Sequence, residues 1–182
     1  MGSLMVEIAP ELVGVRYVPD FWPDHAALMA WAVASVPWDD RIKARKTAGY
    51  GVPYDYAGLT YAPSDFPAPL EAVRRAVAAE VGWEPNNCLL NYYPDGRSRM
   101  GFHSDSAMGL AGDGGVVIVS LGVARRLRFR RISNLDDRVN VWLEPGSLLS
   151  MGRPVQDAWH HALPRASTYE PRISLTFRAV IS

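Results

Sequence analysis

The sequence predicts a mostly β fold with flanking α-helices, a sandwich or jelly roll whose N-terminal helices pack on one sheet. Three observations predict it. From Cys88 onward, six short segments are β-branched or alternate apolar with polar residues, and turn residues separate them. Two segments ahead of them carry apolar residues at helical spacing. No repeat, low-complexity run or linker divides the 182 residues. A single domain over 1–182 is therefore expected, with 1–86 as an N-terminal helical, substrate-facing segment and 87–182 as the jelly-roll core.

Taken in order, "PDHAALMAWAVAS" (23–35) opens with a proline suited to a first helical turn. The stretch "AGYGVPYDYAGLTYAPSDFPAP" (48–69) is rich in Gly, Pro and Tyr and reads as loops with short extended pieces. A second helix is expected over 67–81, stopping at Gly82, a residue that tolerates the left-handed conformation of a C-terminal cap. The strand candidates are "CLLNYY" (88–93), "GVVIVSLG" (115–122), "RRLRFRR" (125–131), "VNVWL" (139–143), "GSLLSMG" (146–152) and "RISLTFRAVIS" (172–182).

Composition narrows the classes of function. Hydrophobic residues make up 48% and charged residues 21%, as in ordinary globular proteins. Nothing reads as a membrane span or a cleavable leader, so no membrane partner is expected; a cytoplasmic location and a monomer are the accompanying expectations. The one cysteine, Cys88, excludes an internal disulfide and sits in an apolar run, as a buried structural thiol would. Nineteen Lys and Arg balance nineteen Asp and Glu, whereas dedicated nucleic-acid binders usually carry a basic excess. Positive charge is nonetheless clustered in "RIKARK" (41–46) and "RRLRFRR". The second cluster alternates arginine with Leu127 and Phe129, which suits either a solvated strand face or an edge that contacts phosphates.

The stretch "GFHSDSAMG" (101–109) raises the possibility of a metal. On a strand, residues two apart point the same way, so His103 and Asp105 could offer an imidazole and a carboxylate to one cation. A third ligand must come from elsewhere. His25 lies in the first helix, where an exposed or capping role fits better. His160 and His161 are neighbours, so on an extended segment only one of them faces the metal. Two histidines, one carboxylate and open positions form the facial triad of non-haem Fe(II) oxygenases. An anionic co-substrate then needs a cation. Arg172 and Arg178 stand six residues apart on one face of the last strand, and a guanidinium grips a carboxylate with paired hydrogen bonds. Ser174 and Thr176 share that face, while Ile173, Leu175 and Phe177 take the other.

These pieces, in this order, resemble the AlkB family of Fe(II)- and 2-oxoglutarate-dependent dioxygenases. The matching blocks are "ARKTAGYG", "AGLTYAP", "NYYPDGRSRMGFHSD", "VSLG", "PGSLLSMG", "WHHALP" and "PRISLTFR". The compact branch with the human nuclear DNA-repair homologues is most similar. The resemblance implies a double-stranded β-helix core, with His103, Asp105 and His161 as iron ligands. It implies that Arg172 anchors the distal carboxylate of 2-oxoglutarate and that Arg178 lies near the keto-acid end. Asn91 and Tyr93 would bond the same molecule. Ser174 stands where the family often has asparagine. The implied reaction consumes 2-oxoglutarate and dioxygen, releases succinate and carbon dioxide, and hydroxylates an alkyl carbon on nitrogen. The adduct then collapses to an aldehyde and the dealkylated base.

Two departures bear on the substrate. Repair enzymes of the family act on cationic bases such as 1-methyladenine and 3-methylcytosine, and tend to carry acids just after the His-x-Asp aspartate. This chain has Ser106 and Ala107 there, and its next acid is Asp113. The segment "VPWDDRIKARKTAGYG" is also shorter than the related hairpin that probes duplex DNA. The substrate-facing candidates are Tyr50, Trp38, Ser106 and His160, with Tyr54, Tyr56 and Trp159 behind them. The expected partner is alkylated single-stranded DNA or RNA, with phosphates held by "RIKARK". A small-molecule metabolite is the rival substrate. A non-catalytic binding module is the third reading, and the complete set of five site residues speaks against it.

Overall fold

The computed structural model describes residues 9–55, 58–105, 109–112 and 115–181. Strands β1 (Val15–Val18), β2 (Lys46–Gly51), β3 (Asn87–Tyr93), β5 (Val116–Gly122), β8 (Leu148–Met151) and β10 (Arg172–Arg178) build one sheet, in the order β1-β8-β5-β10-β3-β2. The second sheet has the order β4-β9-β6-β7, from β4 (Met100–His103), β6 (Arg125–Arg131), β7 (Arg138–Leu143) and β9 (Trp159–Leu163). The strands pair antiparallel throughout. The two sheets face each other as a jelly roll.

Helices α1 (His25–Ser35) and α2 (Ala68–Val81) form where helical spacing predicts them. Leu70, Val73 and Val77 of α2 are buried, a stripe at i, i+3, i+7. Pro67 and Pro69 start α2 without losing an intrahelical donor, and Gly82 ends it at φ 79°. Both helices cover the six-stranded sheet on one side. Leu28, Ala32, Leu70 and Val73 pack there against Val117, Val119, Ile173, Leu175 and Phe177. Cys88 joins this layer, and burial raises its thiol pKa well above the ordinary value.

The other face of the large sheet looks into the space between the sheets. Val116, Ile118, Leu149 and Met151 meet Leu127, Phe129 and Val141 across it. Every residue of β10 is buried, including four polar side chains that point into this gap. Arg125 clamps one end of it. Its guanidinium, 1% exposed, donates to the backbone oxygens of Ser98 (3.0 Å) and Pro164 (2.7 Å), tying the β3–β4 connection to the end of β9.

Several elements differ from the sequence reading. β1, β4, β9 and the short helix α3 (Arg153–Ala158) add to the six strand and two helix candidates, although His103 is already expected on a strand and His160 and His161 on an extended segment. β2 is a full edge strand that starts at Lys46 and runs into the stretch read as loops with short extended pieces. Its Gly49 is required by packing, because an added Cβ would sit 2.6 Å from the Tyr61 ring. Strand β4 ends at His103, so Asp105 is not on a strand with it. The sheet also draws β1 and β2 from residues before 87, so helices alone do not describe that segment. No helix among the described residues is long and apolar enough to cross a membrane.

Candidate metal centre and co-substrate cavity

Cross-strand pairing brings the two histidines together. His103 ends β4 and stands opposite His161 on β9, with ring centroids 4.3 Å apart. The His103 Nδ1 lies 2.9 Å from the Gly101 carbonyl oxygen. A carbonyl only accepts, so Nδ1 carries the proton and Nε2 keeps its lone pair for a cation. His161 Nε2 lies 3.5 Å from Asp105 Oδ2. One ligand atom from each of His103, Asp105 and His161 falls within 4.8 Å of the others. His160 takes the opposite face of β9, opposite Arg130, and its Nδ1 is buried without a partner. Alternation along the strand therefore selects His161 over its neighbour.

Asp105 reaches this point by tethering. Its backbone N–H donates to Gln156 Oε1 of α3 at 3.0 Å, and its carboxylate accepts a short hydrogen bond from Arg178. Strand parity is thus not what aligns Asp105 with His103. Burial alone would raise the Asp105 carboxyl pKa, but Arg178, His161 and His103 outweigh burial and hold it below the ordinary value. Burial lowers the His161 pKa to about 4, against the opposing pull of Asp105. Both groups therefore stand at neutral pH in the protonation state that binds a metal.

Beside the triad lies a cavity of about 460 Å³, lined by Arg172, Ser174, Thr176 and Arg178 on one wall and by Asn91 and Tyr93 on the next strand. Arg172 is 2% exposed, and burial lowers its pKa only to about 10, so it stays cationic at neutral pH. It donates to Ser120 Oγ at 3.0 Å and lies over the Tyr93 ring at 5.5 Å. Its Nε is buried with no hydrogen-bond partner, and no carboxylate pairs with it among the described residues. A buried cation of this kind calls for an anion. Arg178 lies nearer the triad, with its guanidinium 5.2 Å from the centre of the Tyr54 ring. The donor set of two imidazoles and a carboxylate fits Fe(II), and the waiting Arg172 fits a carboxylate of 2-oxoglutarate.

The substrate candidates divide. Tyr50 and Trp38 pack on the helix-facing side of the large sheet, against its apolar layer. Their side chains are separated from the cavity by the sheet itself, because Tyr50 pairs with Cys88 and shares its face. His160 faces outward from the small sheet, and Trp159 is core packing. Ser106 and Tyr56, like Ala107 and Asp113, lie outside the described residues. In their place the cavity wall includes Tyr54, Asp55 and Arg45. Arg45 donates to Asn91 Oδ1 at 2.6 Å, and Arg41 is held by Asp39 at 2.7 Å. The "RIKARK" cluster thus turns two of its arginines toward protein partners. Nothing in the charge pattern marks Arg45 as the residue that turns inward, and nothing in the spacing marks Gln156.

Comparison with known proteins agrees with this geometry. Residues 25–178 match the 2OG-Fe(II) oxygenase superfamily. The chain is 36% identical over 148 residues to the human DNA oxidative demethylase ALKBH2, covering 75% of this chain and 57% of that protein. It is 30% identical over 165 residues to human alpha-ketoglutarate-dependent dioxygenase alkB homolog 3, covering 80% of this chain and 58% of that one. The chain thus spans little more than half the length of these relatives. The solved structure of OsALKBH1 superposes with a TM-score of 0.68 at 16% identity, covering 96% of this chain and 99% of that one, a likeness of fold.

Proposed function

Because the chain belongs to the AlkB family of Fe(II)- and 2-oxoglutarate-dependent dioxygenases within the 2OG-Fe(II) oxygenase superfamily, we propose that it oxidatively dealkylates N-alkylated nucleobases in DNA or RNA, preferring single strands and acting as a monomer. The observation that carries this reading is one cavity holding both the His103–Asp105–His161 cluster and the buried, carboxylate-free Arg172. When bound, iron and 2-oxoglutarate supply the oxidising power for hydroxylating an alkyl carbon. The chain's own part is placement. Arg172 orients the dicarboxylate, Arg178 keeps Asp105 ionised, and the apolar walls from Ile118, Leu127 and Leu163 limit water.

Tyr54 and Asp55 support a cationic base as substrate. They stand together on the cavity wall, an aromatic ring and a carboxylate, the two features that recognise a planar cation. Asp55 thereby offers a charge that Ser106 and Ala107 do not. Replacing it, as Asp55→Asn, is expected to raise KM for a 3-methylcytosine oligonucleotide about tenfold, with a smaller change for a neutral alkylated base.

The deciding experiment supplies Fe(II), 2-oxoglutarate and air with methylated single-stranded DNA, RNA and free nucleoside, and measures succinate, formaldehyde and the demethylated base. Equal amounts of the three from an oligonucleotide are expected. Succinate alone, the same with every oligonucleotide, would contradict the nucleic-acid reading and favour a small metabolite. That second reading draws on the balanced net charge and the missing acids at 106 and 107.

A further inference from the structure

The charge of this chain is balanced overall and very unbalanced on one sheet. The four strands β4, β6, β7 and β9 hold six arginines and no aspartate or glutamate. Alternation along β6 buries Arg125, Leu127 and Phe129 and turns Arg126, Arg128 and Arg130 to the outer face. On one strand face such side chains repeat every ~6.7 Å. A row like that suits a polymer with one charge per unit better than a single small anion.

The middle of the row, at Arg128, borders a shallow groove of about 440 Å³, lined also by Arg99, Phe102 and Arg165. None of these three arginines pairs with a carboxylate among the described residues; Arg128 donates only to Asn140 Oδ1, at 3.1 Å. Phe102 is 36% exposed, with Arg130 over its ring at 3.9 Å. Trp142, also on this sheet, is 59% exposed. Cations interleaved with exposed aromatic rings are the ingredients of single-strand binding. The groove also shares Met100, Gly101, Phe102 and Leu163 with the cavity wall. A strand lying in it would be separated from the metal cluster by β4 alone.

We infer that the outer face of the four-stranded sheet is the docking surface for a nucleic-acid strand, whose phosphates are held by Arg99, Arg128 and Arg165 beside the cavity. The inference rests on the nucleic-acid reading above and adds where the strand runs. It places the main phosphate contacts here and not on "RIKARK", whose Arg41 pairs with the Asp39 carboxylate and whose Arg45 turns into the cavity wall.

The test is fluorescence anisotropy of the full chain with a labelled single-stranded oligonucleotide, titrated over a salt range of about 50–200 mM. The triple variant Arg99→Gln, Arg128→Gln, Arg165→Gln is expected to bind at least tenfold more weakly. Its log-log salt slope should fall by about 2, at ~0.7 per lost contact. Lysine at the same three positions should restore most of the affinity, because a phosphate contact needs the charge and not the fork. Phe102→Ala should cost about tenfold through lost stacking. A control of equal net charge, Arg16→Gln, Arg75→Gln, Arg153→Gln, should bind like the parent chain. Thermal midpoints verify that each variant is folded.

Parental affinity and slope in the folded glutamine triple would overturn the docking surface alone, as would an equal loss in the control. An acidic peptide that competes as well as the oligonucleotide would overturn it too. If the parent chain binds no oligonucleotide yet turns over a free nucleoside, the nucleic-acid reading falls together with the docking surface.

Discussion

His161 and His160 differ by one position and by one face of β9, and that difference is measurable. His161→Ala removes an imidazole from the cluster and should lower turnover by at least a hundredfold and abolish tight Fe(II) binding. His160→Ala should leave iron binding within about threefold, since its ring faces outward. Iron titration of both variants decides between them, and equal losses would refute the ligand assignment. The buried His161 also sets a pH dependence in the metal-free protein. Its folded pKa of about 4 lies below the 6.5 of an exposed imidazole, so the unfolded state binds the proton first. Stability is therefore full above pH 6.5 and falls as the pH drops toward 4, by about 3 kcal/mol in all. Urea melts across that range should show the loss, and His161→Leu should flatten it. Stability that stays constant between those limits would contradict a neutral, buried His161.

Among the elements, β10 was the most legible in the sequence. Its arginines, serine and threonine share one parity and its aliphatic residues the other, and the structure sends one set to the cavity and the other to the helices. Period two is a local property, so it survives without knowledge of the partners. The His103–Asp105 pair was read by the same rule but is held otherwise. β4 stops at His103, and Gln156 captures the Asp105 N–H from α3. That contact joins residues 51 apart, and no local pattern encodes it. Tyr50 shows the matching failure: its side of β2 is set by pairing with β3 and by the helices above it, both distant in sequence. Gln156→Leu should consequently loosen the metal centre without unfolding the chain. Affinity for Mn(II), used in place of Fe(II), should fall about 10–100-fold, with partial rescue in Gln156→Asn. Unchanged Mn(II) affinity would reduce Gln156 to a packing residue.

At the scale of the molecule, two sheets divide the labour. The large sheet, braced by helices on its outer face, presents Asn91, Tyr93, Arg172, Ser174 and Arg178 inward. The small sheet brings His103 and His161, while its outer face carries the arginine row. The cavity is where polar residues of both sheets meet, which explains why β10 buries Arg172, Ser174, Thr176 and Arg178 along one face. The central claim is that this gap binds one iron and one 2-oxoglutarate together. Anaerobic calorimetry tests it directly, by titrating Fe(II) and then 2-oxoglutarate into the parent chain and into Arg172→Gln. One of each per chain is expected, with 2-oxoglutarate binding dependent on iron and at least a hundredfold weaker in the variant. Binding of 2-oxoglutarate that ignores both the iron and Arg172 would contradict the account.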